Sequence, residues 1–219
     1  MKQIHFIGAR SLLVIVVAGT FVGMVVALQF YDTLLRFGSI SLLGAAVGLS
    51  LTRELGPVLT ALVVIGRAGS AICAEISIMR NEHQIDALEC MAIDPYKHLV
   101  APRLAAALIS VPLLTAIFIA VGIAGGYFVG VILFDVSPGA YLGGMHDSVI
   151  SRDFLMGGSK ALVFGLLMIW TATAKGFFLH LEPAGAHGSE GVSRVTTDAV
   201  VLSSIAVLFA DYILSAIIL

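Results

Sequence analysis

The chain has 219 residues, of which 59% are hydrophobic and 12% are charged, and its mean hydropathy is +1.04. A soluble domain carries roughly 25% charged residues, so this composition predicts an integral membrane protein and excludes an ordinary soluble domain. The net charge of -2 comes without any basic run or aromatic-basic interleaving, which argues against a nucleic-acid partner.

Five charge-poor apolar segments follow one another along the chain, each long enough to cross a bilayer at about 20 residues per span. We predict an all-α protein with a single domain over residues 1–219. Its membrane spans are expected at residues 11–31, 39–66, 104–134, 154–174 and 199–219. Lys2 and Arg10 flank the first segment and no small-residue cleavage site follows it, so we expect a membrane helix there rather than a cleavable signal.

The second span contains an adjacent charge pair, Arg53 and Glu54, followed by Gly56-Pro57. As one straight helix this span would measure roughly 42 Å, against a hydrocarbon core of about 30 Å, so we expect it to tilt, bend or break. Pro57 lacks a backbone donor, which makes Gly56-Pro57 the expected place for a break.

Charged side chains inside a bilayer are unfavourable by about 2.5 to 3.5 kcal/mol each on insertion scales, and they usually face a bundle interior or a water-filled cavity. Arg53 and Glu54 therefore have two interpretations. They form a polar spot in a substrate cavity, or they satisfy backbone groups that Pro57 leaves free. Lys160 in the fourth span and Asp211 in the fifth are expected either to pair within the bundle or to extend toward the membrane surface.

Residues 67–103 hold nine of the 26 charged residues of the chain and are predicted to form a polar loop. Within it, residues 81–92 are predicted to form a short amphipathic helix, with Asn81 as N-cap, Gln84 three residues later and Asp94-Pro95 after its end. Ile85, Leu88 and Met91 recur on one face, and Glu82, Asp86 and Glu89 on another. Three acids disfavour a helix lying on the anionic cytoplasmic leaflet and favour contact with a protein partner.

The distribution of basic residues predicts the topology. With the N-terminus inside, eight basic residues lie on the inner side and two, Arg36 and Arg152, on the outer side; the inner ones are Lys2, Arg10, Arg67, Arg80, Lys97, Arg103, Lys175 and Arg194. By the positive-inside rule, residues 67–103 are cytoplasmic, residues 135–153 are external and the C-terminus is external. Five spans do not divide into two equal inverted halves, so a pathway built on repeat symmetry would need a second copy of the chain.

No catalytic or metal-binding pattern is found in the sequence. There is no P-loop and no H-E-x-x-H motif, and the six histidines are scattered without a pair at ligand spacing. The two cysteines, Cys73 and Cys90, are predicted to be free thiols. Small-residue spacings, such as those of Gly19 with Gly23 and Gly122 with Gly126, permit close helix packing. We therefore predict a protein without catalytic residues and without a metal or cofactor of its own.

Several motifs carry a family resemblance. LTRELGPVLTAL at residues 51–62 is followed by GRAGSA at 66–71, QIDALE at 84–89 and MAIDP at 91–95, and GVSRVTTDAVV appears at 191–201. Together they resemble the MlaE family, the permease subunits of ABC-type phospholipid transporters in Gram-negative inner membranes. The match extends over essentially the whole chain. Family members usually carry a further N-terminal segment with an interfacial helix, whereas this chain starts almost at the first span.

The resemblance implies a homodimer in the bacterial inner membrane that transports phospholipid and maintains outer-membrane lipid asymmetry. It implies two cytoplasmic ABC ATPase subunits that bind ATP and Mg²⁺, a STAS-domain subunit and periplasmic MCE-domain subunits. The helix at residues 81–92 would be the coupling helix, contacting the ATPase through Glu82, Ile85, Asp86, Leu88, Glu89 and Met91. A lipid cavity at the dimer interface would be lined by Met24, Leu28, Tyr31, Leu34, Arg53, Glu54 and Leu55.

Two other classes of function remain open from the sequence. A stand-alone secondary transporter or channel could use Arg53, Glu54, Lys160 and Asp211 as a charge relay, although the odd number of spans and the acidic helix weigh against it. A membrane enzyme acting on lipid is disfavoured because no nucleophile or metal constellation is found.

Overall fold

The computed structural model describes residues 2–179 and 188–218, and this part of the chain is helical, without strands. Its principal helices are α1 (His5–Arg36), α2 (Ile40–Asn81), α3 (Gln84–Cys90), α4 (Tyr96–Leu133), α5 (Pro138–Ser148), α6 (Ser151–Phe177) and α7 (Gly188–Ile218). All except α3 and α5 are long and apolar enough to cross a membrane. The prediction of an all-α protein with five candidate membrane helices is confirmed.

Helix α2 lies at the centre of the bundle and contacts the other four long helices. Its middle part, Gly56–Val64, packs on α4 and α6, and its last part, Ser70–Asn81, packs on α6 and α7. The remaining long helices follow one another around it, α1 against α4, α4 against α6 and α6 against α7. Because α1 and α7 make no extensive contact in the described chain, we place the uncovered side of α2 between them. Leu55, Leu59 and Leu62 recur at helical spacing and stay partly exposed.

Helices α1 and α4 approach each other closely through glycines. A Cβ atom built at Gly23 would lie 1.9 Å from the carbonyl oxygen of Gly122, and one at Gly125 would lie 2.4 Å from that of Thr20. Only glycine permits backbones to come this close. The small-residue spacing noted in the sequence therefore corresponds to a backbone-to-backbone contact between these two helices.

The predicted polar loop at residues 67–103 is wrong over much of its length. Helix α2 continues to Asn81 and α4 already begins at Tyr96, which leaves a short connection that holds α3. The reason is that Ile72, Cys73 and Ile76 recur at helical spacing and are buried against α6 and α7. Hydropathy falls in this region, but one face still packs, so the helix continues beyond the most apolar residues.

The predicted break at Gly56-Pro57 is also wrong. Residues Leu51–Leu55 form a π-helical turn, and α-helix resumes at Gly56 with Pro57 in its first turn, where a missing N–H is tolerated. A second π-helical turn, Ile65–Gly69, follows further along. Helix α2 therefore passes the proline through a widened turn and remains continuous.

The predicted start of the short helix is wrong as well. Asn81 is the last residue of α2, and α3 begins at Gln84 after His83, which has a left-handed backbone with φ of 58°. The amide of His83 donates to the carbonyl oxygen of Arg80, which makes a turn at this point. The Asn81 side chain instead accepts a hydrogen bond from the backbone of Gly188 at 3.3 Å. The helix predicted over 81–92 is thus shorter and has no Asn81 cap.

Candidate functional site

A cluster of charged side chains lies where α2, α6 and α7 meet. Lys160 of α6 is fully buried, and its Nζ lies 2.6 Å from Glu54 Oε2 and 2.9 Å from Asp211 Oδ1. Nζ also donates a hydrogen bond to Ser215 Oγ at 2.7 Å, and that hydroxyl lies 3.1 Å from Glu54 Oε1. One ammonium is therefore compensated by two carboxylates, and a hydroxyl joins them. The structure resolves the open alternative for Lys160 and Asp211, since both pair within the bundle.

Lys160 also satisfies a backbone group next to the proline. Pro57 has no N–H to donate to the carbonyl oxygen of Arg53, four residues earlier in α2. Lys160 Nζ donates a hydrogen bond to that oxygen at 3.2 Å. The side chain that donates a hydrogen bond to the backbone near Pro57 is thus Lys160 of α6, and not Arg53 or Glu54 of α2 itself.

Arg53 and Glu54 have different partners. Arg53 Nε donates to Asp153 Oδ1 at 2.8 Å, and Asp153 Oδ2 accepts a hydrogen bond from the backbone of Ile150 at 2.9 Å, at the start of α6. Asp153 is not among the predicted site residues, because residues 135–153 are predicted to form an external loop. Its position in the first turn of a helix, where a carboxylate is favoured, was the available signal.

The charged cluster is enclosed on one side and open on the other. The side chains of Lys160 and Asp153 are 0% and 6% exposed, whereas those of Arg53 and Glu54 are 37% and 40% exposed. The Arg53 guanidinium and the Glu54 carboxylate are therefore partly exposed at the surface of the protein. Each is also paired with a buried side chain, Arg53 with Asp153 and Glu54 with Lys160. Such an arrangement suits a ligand that carries both a positive and a negative group.

The residues predicted as an apolar wall lie on α1, on the other flank of α2. Met24, Tyr31 and Leu34 are partly buried, Leu28 is 44% exposed, and Leu55 of α2 is partly buried. The Tyr31 ring stacks on that of Phe134, with centroids 4.0 Å apart. No hydrogen bond, ion pair or ring contact joins these residues to Arg53 or Glu54 in the described chain. Within the described chain, the wall residues on α1 and the partners of the charges on α6 and α7 therefore belong to different neighbours of α2.

An apolar cavity of about 320 Å³ lies between α2, α4 and α6. It is lined by Thr52, Pro112, Thr115, Ala116, Ile119, Ala120, Ile123, Phe154, Gly157 and Gly158. Thr52 Oγ1 is buried without a hydrogen-bond partner among the described residues. None of the residues predicted for the lipid cavity lines this space. No local sequence pattern indicates this cavity, because small and apolar residues from three helices form it together.

Of the residues of α3 and its flanks that are predicted to contact the ATPase, some are buried in the protein and others are exposed. Ile85 is fully buried and Leu88 partly buried, so they hold α3 against the rest of the protein, whereas Met91 is 62% exposed. Asp86 binds Arg80 Nη1 at 2.7 Å and His83 Nδ1 at 2.8 Å. The exposed surface of this region therefore carries the acids Glu82 and Glu89 together with the apolar side chains of Met91 and Ile93.

Known proteins resemble the chain along nearly its whole length. The family model described as permease MlaE matches residues 1–217. The chain is 46% identical to the intermembrane phospholipid transport system permease protein MlaE of Haemophilus influenzae, over 99% of this chain and 81% of that protein. It is 41% identical to a probable ABC transporter permease protein of Rickettsia prowazekii, over 98% of this chain and 81% of that protein.

A more distant relative is a plant protein. The chain is 32% identical to TRIGALACTOSYLDIACYLGLYCEROL 1, chloroplastic, of Arabidopsis thaliana, over 99% of this chain and 60% of that protein. These relatives and the five long apolar helices establish a multi-pass membrane protein. Because the family model and the bacterial relatives cover nearly the whole chain, the protein belongs to the MlaE permease family.

Proposed function

We propose that this chain is the membrane-spanning subunit of an ATP-driven phospholipid transporter in a bacterial inner membrane. The observation that supports this most is the half-open charged cluster, in which Arg53 and Glu54 keep exposed surface on a part of α2, residues 40–66, that has no other charged side chain. A phospholipid headgroup carries a phosphate and often an ammonium group, so these two side chains match both charges. The partly exposed leucines of α2 suit the acyl chains.

A homodimer completes the cavity in this proposal. The uncovered side of α2 lies between α1 and α7, and a second copy placed there covers both the charged cluster and the apolar wall on α1. The cavity then contains Arg53, Glu54 and Leu55 together with the wall residues Met24, Leu28, Tyr31 and Leu34. The position of the charges toward α6 and α7, and of the wall on α1, supports this arrangement.

The energy comes from partner subunits in this proposal. The acidic surface around α3, with Glu82, Glu89 and Met91 exposed, docks on a cytoplasmic ABC ATPase that binds ATP and Mg²⁺. Helix α2 runs from the charged cluster to the connection that holds α3, so displacement of α3 moves α2 and changes the cavity. A STAS-domain subunit and periplasmic MCE-domain subunits complete the assembly, and the chain itself acts as a permease without catalytic residues.

The proposed orientation places the N-terminus and α3 in the cytoplasm and the C-terminus in the periplasm. The excess of Lys and Arg in the segments on the inner side supports it. The charged cluster then lies in the outer half of the bilayer, because Lys160 is about 14 Å from the external start of α6. The biological role that we propose is the maintenance of outer-membrane lipid asymmetry.

Native mass spectrometry of the transporter, purified in mild detergent from its own membrane, tests the proposal. We expect two copies of this chain with two ATPase subunits and bound phospholipid. Arg53→Ala should lower the bound lipid severalfold without changing the subunit composition, because a charged contact to the headgroup is lost.

Arg36→Ala is the matched control, because Arg36 is exposed and pairs only within α1, with Asp32 at 2.8 Å. This control should retain the lipid of the unmodified protein. An oligomer of the chain alone, without a nucleotide-binding partner and without lipid, would contradict the proposed function.

A further inference from the structure

Two arginines lie against one phenylalanine where the first turns of α1 meet α2. Arg67 Nη1 donates hydrogen bonds to the carbonyl oxygen of Phe6 at 2.8 Å and to Ser11 Oγ at 2.9 Å. The guanidinium carbon of Arg67 lies 5.6 Å from the centroid of the Phe6 ring, and that of Arg10 lies 5.6 Å from the same centroid. The ring therefore holds two cations close together.

Neither guanidinium has an acidic partner within the described ranges. The next acid along α2, Glu75, binds Arg103 at 2.9 Å. Arg67 Nε and Nη2 and the whole guanidinium of Arg10 make no hydrogen bond to any described residue. Adjacent like charges repel, and uncompensated charge is unfavourable near a bilayer, so this arrangement favours the binding of an anion.

The backbone is widened on both sides of the arginine pair. Phe6 lies in a π-helical turn, His5–Ala9, and Arg67 lies in the π-helical turn Ile65–Gly69. Turns of this kind are rare and occur frequently at functional sites. Gly66, beside Arg67, is exposed, and a Cβ atom built there would meet nothing within 4 Å. There is therefore open space at Gly66, one residue before Arg67 in the same π-helical turn.

The depth of the pair corresponds to the headgroup layer of one leaflet. Arg10 immediately precedes the charge-free stretch of α1 that begins at Ser11. Arg67 lies about 21 Å along α2 from Arg53, at 1.5 Å per residue. The arginine pair and the half-open charged cluster are thus separated by much of the hydrocarbon thickness of about 30 Å.

We propose that Arg10 and Arg67 bind the phosphate group of a phospholipid in the leaflet at this end of the bundle, in the space beside Gly66. A guanidinium offers paired donors that match two phosphate oxygens, and Arg67 still has Nε and Nη2 for them. This inference rests on the proposed function, and adds to it a second headgroup position, at the cytoplasmic leaflet in the proposed orientation. A lipid moving along the uncovered side of α2 would occupy this position and that of Arg53 and Glu54 in turn.

Arg10→Gln is the decisive variant. Arg10 is exposed and makes no side-chain hydrogen bond within the described chain, so the substitution should leave the fold intact. Arg36→Gln is the matched control at the opposite end of the same helix. The assembled transporter is stripped of lipid and titrated with phosphatidylglycerol, and native mass spectrometry counts the lipids bound at each concentration.

We expect Arg10→Gln to weaken one class of bound lipid about tenfold, as for the loss of a charge-assisted contact, and Arg36→Gln to change nothing. Arg67→Lys, which keeps the charge but loses the paired donors, should weaken the same class. Arg53→Ala should weaken a different class and leave this one intact.

The outcomes separate this inference from the proposed function. If Arg10→Gln binds lipid as Arg36→Gln does while Arg53→Ala binds less, the arginine pair is not a headgroup site and only this inference fails. If the stripped assembly binds inorganic phosphate in an Arg10-dependent way while Arg10→Gln leaves every lipid class unchanged, the pair is a site for free anions and the inference is again overturned. If even the unmodified assembly binds no phospholipid at any concentration, the proposed function itself fails.

Discussion

Lys160 is the residue on which the charged cluster depends. Its ammonium is fully buried and faces Glu54 from α2 and Asp211 from α7. Removing one member of a buried ion cluster leaves the remaining charges without compensation, which is usually far more destabilising than the loss of an exposed pair. The complete set of contacts around the ammonium also disfavours a relay in which Lys160 exchanges charge with solvent.

Lys160→Met should lower the free energy of unfolding by about 3 kcal/mol, because two neighbouring carboxylates lose their shared cation. Adding Asp211→Asn to this variant should restore part of the loss, since one uncompensated charge is removed. Thermal unfolding in detergent measures both effects. Lys97→Met is the control, because Lys97 is 86% exposed and its distance to Asp94 is 3.8 Å. Equal unfolding temperatures for Lys160→Met and Lys97→Met would show that the cluster does not stabilise the bundle.

The sequence reveals which charges lie in the membrane but not how they pair. Arg53 and Glu54 are adjacent in the chain and look like a pair, yet successive residues of a helix point about 100° apart, so each meets a different neighbour. The partners of Glu54 come from α6 and α7, and no local pattern encodes which distant helices will meet. The contact of Arg10 and Arg67 with the Phe6 ring could not be predicted from the sequence for the same reason.

At the scale of the element, the sequence predicts that a helix exists but does not predict its full length. Hydropathy located all five long helices because it reports where the chain avoids water. It does not report where a helix ends, and α2 extends from the predicted limit at residue 66 to Asn81 because its packed face continues. The capping pattern at Asn81 gave a wrong start for α3, because asparagine is frequent at the C-terminal ends of helices as well as at their N-caps. Asn81 is in fact the last residue of α2, and His83 is the left-handed residue that follows this helix.

Gly23→Ala tests the contact between α1 and α4. The new methyl group would collide with the Gly122 backbone, which cannot move aside as a side chain can, so the helices must separate. We expect a loss of about 1 to 3 kcal/mol, as for overpacked cores, seen as a lower unfolding temperature. Gly158→Ala in α6 is the control, because a Cβ atom there would meet nothing within 4 Å. A Gly23→Ala protein as stable as this control would contradict the close backbone contact.

Helix α3 provides a second test at this scale. Glu82 and Glu89 are exposed, so their joint change to Lys should leave the fold intact and release the ATPase from the purified membrane complex. Asp86 is left unchanged because it binds Arg80. Asp147→Lys, an exposed charge reversal beyond the other end of the bundle, is the control and should retain the ATPase. If the α3 variant still copurifies with its ATPase, docking does not depend on these acids.

At the scale of the whole molecule, the membrane topology can be tested, because the short helices α3 and α5 mark the two ends of the bundle. The five long helices alternate in direction, so α3 and α5 lie at opposite ends of the bundle. The positive-inside rule assigns α3 to the cytoplasm. The two native cysteines differ usefully, since Cys90 of α3 is exposed and Cys73 of α2 is buried.

In cells that lack the ATPase, a membrane-impermeant maleimide should therefore label the protein in inverted vesicles and leave it unlabelled in intact spheroplasts, because Cys90 is then the accessible thiol and faces the cytoplasm. The double variant Cys90→Ser with Ser137→Cys should show the reverse, since Ser137 is exposed next to α5. Labelling after detergent treatment is the control for thiol reactivity in both proteins. Labelling of Cys90 in intact spheroplasts would invert the proposed orientation.

Helix α7 is the least embedded of the long helices in the described chain, with 11% of its most apolar stretch buried, and it is synthesised after α2 and α6. Until it arrives, Lys160 has Glu54 as its partner but lacks Asp211 and Ser215. Docking of α7 supplies both groups, and Arg152 Nη2 then donates to the carbonyl oxygen of Ile218 at 2.9 Å. A nascent chain in which α7 is missing or misplaced therefore keeps a poorly neutralised lysine within the bilayer.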